Sequence, residues 1–142
     1  MRLICKTAFF VAVVSTLACH DLGPPPLPAD FVLDNINGRA LPTFLSPIPE
    51  SPTIISSTLH LDGAGQATMT EHRVQMAGGD LTFTSNYHYV IIGNKIQFSF
   101  FCPSNADCIT PPTGTISGSQ LSLDMSGGTK QLIYNFQLTA SN

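Results

Sequence analysis

The sequence predicts an all-β domain of about eight antiparallel strands, an up-and-down meander that closes into a small barrel. Three observations predict it. Short runs in which apolar residues alternate with Ser, Thr and other polar residues follow one another from Phe31 onward, and turn residues rich in Gly and Asn separate most of them. No stretch repeats its apolar residues at helical spacing for long enough to make a helix. Hairpins closed at those turns also agree in register. The 142 residues, 43% hydrophobic and 11% charged, suffice for one such domain with its own core and are too apolar and too weakly charged for disorder.

The first run is Phe31 to Ile36, ended by Asn37-Gly38, and the next is Arg39 to Leu45, interrupted at Pro42. Pro47, Pro49 and Pro52 make residues 46–52 a loop, because proline cannot donate to a strand ladder. Thr53 to Leu61 and Gln66 to Met76 flank the Gly-rich turn Asp62-Gly63-Ala64-Gly65. Leu81 to Ile92 and Lys95 to Cys102 flank Gly93-Asn94, Thr113 to Ser117 and Gln120 to Met125 flank Gly118-Ser119, and Lys130 to Thr139 follows Gly127-Gly128.

Register tests these assignments, since a slip of one residue turns every side chain over. Closing at Gly93-Asn94 sets Ile91 opposite Ile96, Tyr89 opposite Phe98 and Tyr87 opposite Phe100 on one face. Closing at Gly118-Ser119 sets Ile116 opposite Leu121, and closing around Gly127-Gly128 sets Leu123 opposite Leu132 and Leu121 opposite Tyr134. The large apolar residues of three hairpins thus share a side. With no helix to cover that side, the sheet closes on itself or folds into a β-sandwich, the alternative architecture. Sequential hairpins with short links favour the barrel.

Residues 1–18 read as a secretory signal: Arg2 and Lys6 precede an apolar to weakly polar run from Thr7 to Ala18 that is too short to span a bilayer. Thr16-Leu17-Ala18-Cys19 resembles the bacterial lipoprotein signal, which implies cleavage before Cys19 and lipid on its thiol; ordinary cleavage after Ala18 is the alternative. Cys5 leaves with the signal, so Cys102 and Cys108 remain to pair with each other. Residues 19–30 then hold the lipidated cysteine and a Pro-rich tether, HDLGPPPLPAD, and residues 31–142 the single barrel domain. The same resemblance implies an outer-membrane anchor facing the periplasm or the cell surface, because Asp21 does not directly follow Cys19; a soluble periplasmic or secreted protein is the alternative.

Loss of residues 1–18 removes two of six Lys and Arg against nine Asp and Glu, leaving four against nine and a charge of −5. Arg39, Arg73, Lys95 and Lys130 are scattered, so nucleic-acid binding lacks its electrostatic basis. Phe31-Val-Leu33-Asp-Asn-Ile36-Asn37-Gly38-Arg-Ala-Leu41-Pro42, followed by apolar hairpins ending in Gly114-Thr115-Ile116-Ser117-Gly118-Ser119-Gln120-Leu121-Ser122-Leu123, resembles the small lipocalin-like barrels of bacterial envelope lipoproteins. That resemblance implies a barrel with an interior able to take a ligand.

Few residues are candidates for chemistry. The Cys102 to Cys108 spacing fits neither a metal-ligand nor a redox motif and reads as a structural disulfide. His60, His72 and His88 lie on successive strands, but a register with Leu61 opposite Gln66 puts only His72 on the core face, opposite Ile55, which argues against a shared metal site. Ser57, Thr68, Thr70 and Ser85 fall near His72 in that register, a polar patch that bonds within itself, holds water or meets a ligand's polar group. His72, Ser57, Ser85 and Tyr87 are therefore the candidate ligand-binding residues. Neither a cofactor nor a catalytic motif is evident: no Walker loop, no dinucleotide fingerprint, no metalloprotease motif, and a Gly114-Thr-Ile-Ser-Gly118 segment that sits in a hairpin rather than a nucleophile elbow.

The sequence thus reads as a non-enzymatic, lipid-anchored envelope protein whose barrel binds an apolar or amphipathic small molecule. The alternative is an interaction or inhibitor module acting through loops 46–52 and 102–112, with Phe44, Ile48 and Ile109 as contacts. In a Gram-negative host the exported full chain is expected to incorporate labelled palmitate, and Cys19→Ala to abolish the label. A mature chain beginning at Cys19 with an unmodified thiol would show ordinary cleavage instead.

Overall fold

The computed structural model describes residues 23–44, 51–75, 77–100, 110–127 and 130–139, and every regular element among them is a strand. In chain order these are β1 (Ala29–Ile36), β2 (Arg39–Ala40), β3 (Thr43–Phe44), β4 (Thr53–Leu61), β5 (Gln66–Val74), β6 (Asp80–Ile92), β7 (Lys95–Ser99), β8 (Thr113–Ser117), β9 (Gln120–Asp124) and β10 (Ile133–Leu138). From β4 to β10 each strand pairs antiparallel with the next, β10 pairs with β1, and β1 pairs with β4. The sheet is therefore a closed eight-stranded up-and-down barrel, with β2 and β3 as short additions on β1 and β4. Closure removes the two end edges that an open meander would carry.

β1 begins at Ala29, inside the segment assigned to the tether, and the Gly118 amide donates to the carbonyl of Gly23 at 3.1 Å. The later part of the Pro-rich segment thus lies against the barrel instead of spanning free space. The shortening follows from alternation: Ala29 is buried, as are Phe31 and Leu33, so the inward pattern of β1 starts two residues early.

Two hairpins match the turn chemistry directly. Ile91 pairs with Ile96 and Tyr89 with Phe98 around Gly93-Asn94, and Ile116 pairs with Leu121 around Gly118-Ser119. β10 sits two residues from its expected register, with Tyr134 opposite Leu123 and Phe136 opposite Leu121, because the Met125 amide bonds to the Leu132 carbonyl and closes a longer loop. A shift of two keeps every side chain on its expected face.

The β4–β5 hairpin differs by one residue, and that changes faces. The Asp62 amide donates to the Gln66 carbonyl, so the loop holds three residues, with Gly65 at φ +86°. Asp62 Oδ1 accepts from the amides of Ala64 and Gln66 and holds the turn in that form. A type I turn followed by a left-handed residue is a common three-residue hairpin geometry. Leu61 therefore faces Ala67, and a bulge at Ile55 shifts the pairing again beyond Ser56.

The two ends of the barrel are unlike. Tight turns at residues 63–65, 93–94 and 118–119 close one end, where Phe31, Ile96, Ile116 and Leu121 fill the interior. The opposite ends of the strands, from which the remaining connections leave, lie together at the other end. β6 also outruns β7: among the described residues its first half, Asp80 to Tyr87, pairs with β5 alone.

Gly114 faces inward opposite Leu123, and a Cβ there would lie 2.1 Å from the Ser122 carbonyl oxygen and 2.7 Å from Leu123 Cδ2. Backbone cannot yield as a flexible side chain can. Gly114→Ala is expected to cost about 1–3 kcal/mol in urea unfolding, whereas Gly63→Ala, with nothing within 4 Å of its added carbon, should stay within about 0.5 kcal/mol of the parent.

Candidate functional site

The three-residue turn decides which polar side chains enter the barrel. Glu71 pairs with Ser57 and Phe83, and all three are on the inner face; the Glu71 side chain is 4% exposed and Ser57 as a whole residue 1%. The Tyr134 hydroxyl donates to Glu71 Oε2 at 2.9 Å, and Arg73 Nε donates to Oε1 in an ion pair. A buried carboxylate without such donors would be strongly unfavourable. The Arg73 guanidinium lies with its central carbon 4.7 Å from the centre of the Phe83 ring, so it is held between a carboxylate and an aromatic face. Its terminal amino groups make no hydrogen bond among the described residues.

Burial, and then the charge of Glu71, hold the Tyr134 phenol far above its ordinary value, so it remains a hydrogen-bond donor. Tyr89 is raised in the same direction by burial and by Asp62, and its hydroxyl donates to the Asp62 carbonyl at the tight-turn end. Ser57 Oγ is buried and has no hydrogen-bond partner among the described residues.

Next along the inner face of β6 from Phe83 come Ser85 and Tyr87, opposite Met69 and Ala67. Ser85, Asn86, Tyr87 and Phe100 line a hollow of about 300 Å³. The Tyr87 ring meets Phe98 and Phe100 edge-on, at centroid distances of 5.5 and 6.3 Å, which fixes the apolar side of the hollow.

The predicted residues thus divide. Ser57, Ser85 and Tyr87 are on the inner face. His72 is not: the odd-length turn puts it opposite Ser56 on the outer surface, exposed, with Nε2 3.2 Å from Thr82 Oγ1. Thr68 and Thr70 lie on the outer face with it, and Glu71 takes the core position expected for His72. His60 bonds to Asp30 at 2.6 Å and His88 to Gln66 at 2.7 Å, each at its own outer position, and no group of three metal-ligating side chains occurs among the described residues. Cys19, Cys102, Cys108, Ile48 and Ile109 lie outside the described residues, while Phe44 is exposed.

Glu71 and Arg73 face inward because the β4–β5 turn holds three residues and not four, whereas Tyr134 stands on the face its own hairpin predicts. Alternation along β5 carried the correct signal: Ala67 and Met69 are the apolar members, so Glu71 and Arg73 share their face. The chain matches no protein-family model, no curated protein and no solved structure.

The group is a set of fixed acceptors and donors. No base is bonded to the Ser57 hydroxyl among the described residues. Tyr134→Phe removes a hydrogen bond to a buried carboxylate and is expected to lower stability by about 1.5–3 kcal/mol at neutral pH. The folded phenol keeps its proton after the unfolded chain has lost it, so its contribution is complete below its ordinary value of 10.0 and is lost as pH rises toward the folded value. Urea titrations at rising alkaline pH should show the parent losing stability above that value, and Tyr134→Phe losing it less steeply, the remaining slope including that from Tyr89.

Proposed function

We propose that the protein is a non-enzymatic, lipid-anchored envelope protein whose barrel binds an apolar or amphipathic small molecule at its long-loop end. The observation that carries this reading is the hollow of about 300 Å³ between Ser85, Asn86, Tyr87 and Phe100, where β6 runs past the end of β7. That volume lies at the lower bound of small-molecule sites, which join apolar walls to a few placed polar groups. Tyr87 and Phe100 supply the walls and Ser85 and Asn86 polar groups at the hollow itself, while Ser57 and Glu71 lie beside Phe83, the next inner position along β6. The filled tight-turn end limits the depth a ligand can reach.

An anchor at Cys19 fits this geometry. The chain reaches the barrel through Gly23, at the tight-turn end, so a lipid on Cys19 would hold that end toward the bilayer and direct the hollow away from it. Val90 and Ile92, 59% and 65% exposed, flank the β6–β7 turn at the same end. A second reading, an interaction module, is favoured by Phe44 and Phe83, which stand 59% and 45% exposed toward the other end.

The neutral fluorophore N-phenyl-1-naphthylamine, titrated into the mature chain, tests the first reading. Saturable enhancement is expected, weakened at least about tenfold by Ser85→Phe, which fills the hollow, with an unchanged far-ultraviolet circular dichroism spectrum. Absence of saturable binding to the native chain, or equal binding to a folded Ser85→Phe chain, would overturn it in favour of the interaction module.

A further inference from the structure

We infer that Ser57, Glu71 and Arg73 seat the polar head of the ligand, and that the head they accept is uncharged, a hydroxyl or primary amide that both donates and accepts hydrogen bonds. This rests on the small-molecule reading above and adds the chemical class of the ligand.

Position comes first. Ser57, Glu71 and Phe83 lie side by side across β4, β5 and β6, and Ser85 of the hollow is the diagonal neighbour of Glu71. Diagonal positions on one face of an antiparallel pair are roughly 7–8 Å apart, within the reach of a small amphiphile. The polar group lies nearer the long loops than the hollow does, so a head at Glu71 leaves its chain to follow Tyr87 and Phe100.

Bonding capacity comes second. Ser57 Oγ is buried with no partner among the described residues, and leaving a hydroxyl so is unfavourable unless something arrives to bond it. Each Glu71 carboxylate oxygen has two lone-pair sites and one donor assigned, from Arg73 or Tyr134, so each can accept once more. Arg73 uses Nε on Glu71, and its terminal amino groups, unbonded among the described residues, can serve an acceptor. One incoming hydroxyl can donate to Glu71 while accepting from Ser57 or Arg73.

Charge decides among heads. Glu71 and Arg73 already neutralise each other. A carboxylate head would place a second anion beside a buried one, and an ammonium head a second cation beside the guanidinium; either adds a net charge where water is scarce. An uncharged head satisfies the free lone pairs and protons without adding charge.

Displacement of N-phenyl-1-naphthylamine from the mature chain by decanol, decanoate and decylamine, which share one tail, tests this. Decanol is expected to displace the probe at a concentration at least about tenfold below the other two. Glu71→Gln, which leaves Arg73 unpaired, should move the preference to decanoate, and Arg73→Gln should move it to decylamine; a purely structural role for the pair would not reverse the ranking by charge. Equal potency of the three heads, or a charged head leading in the parent chain, would overturn the inference while leaving small-molecule binding in place. Failure of the probe to bind the parent chain would overturn both. Should the charge variants fail to fold, the ranking on the parent chain decides alone.

Discussion

Between Asp62 and Gln66 the chain reverses in three residues, and the parity of that number governs the interior. The Asp62 carboxylate bonds two amides of the turn, and Gly65 takes a left-handed conformation that other residues rarely adopt. β4 and β5 then pair with Leu61 opposite Ala67, and every second residue of β5 is committed to the lumen. Had the turn held four residues, His72 and two threonines would line that wall and Glu71 would face water. The burial of one carboxylate, and the recruitment of Arg73 and Tyr134 to it, descend from this hydrogen-bonded turn.

Closure of the sheet distributes the rest. The tight turns gather at one end and bring the aliphatic and aromatic side chains of β1, β7, β8, β9 and β10 into a filled interior there. At the other end, from which the longer connections leave the strands, the unequal lengths of β6 and β7 leave part of β6 paired on one side only among the described residues. Polar inner residues are tolerated at this end because the hydrogen bonds they need can come from one another, from water or from a ligand. In the filled end the same residues would have had no such choice.

The barrel was legible because its signals were redundant. Gly93-Asn94 and Gly118-Ser119 name two-residue turns with a single sensible closure, and Tyr89, Phe98, Ile116 and Leu121 confirm it by facing one way. Ten residues on, Gly127 and Gly128 allow several closures, yet an error of two there left Leu123 and Tyr134 on the right face. Asp62-Gly63-Ala64-Gly65 permits both an odd and an even loop, and the choice rests on the Asp62 hydrogen bonds, which composition does not reveal. The polar site lay on the strand that this ambiguous turn controls. Ser57, Ser85 and Tyr87 were legible because β4 and β6 were oriented by apolar residues of their own; Glu71 and Arg73 were hidden because charged residues are ordinarily assigned to solvent.

The Tyr134 to Glu71 hydrogen bond joins β10 to β5, strands separated in the sheet by β1 and β4, so it crosses the lumen instead of running along the wall. A crossbar of this kind ties together walls that no ladder connects, and it holds the carboxylate in place from one side while Arg73 holds it from the other. Rigid placement matters for recognition, since a polar group already fixed by its neighbours loses little conformational freedom when a ligand arrives. Burial keeps the Tyr134 phenol neutral, so the crossbar stays a donor to the carboxylate and does not become a second anion beside it. The same bond therefore ties the barrel walls together and presents Glu71 with its remaining lone pairs free, beside the buried Ser57 hydroxyl, which has no partner among the described residues.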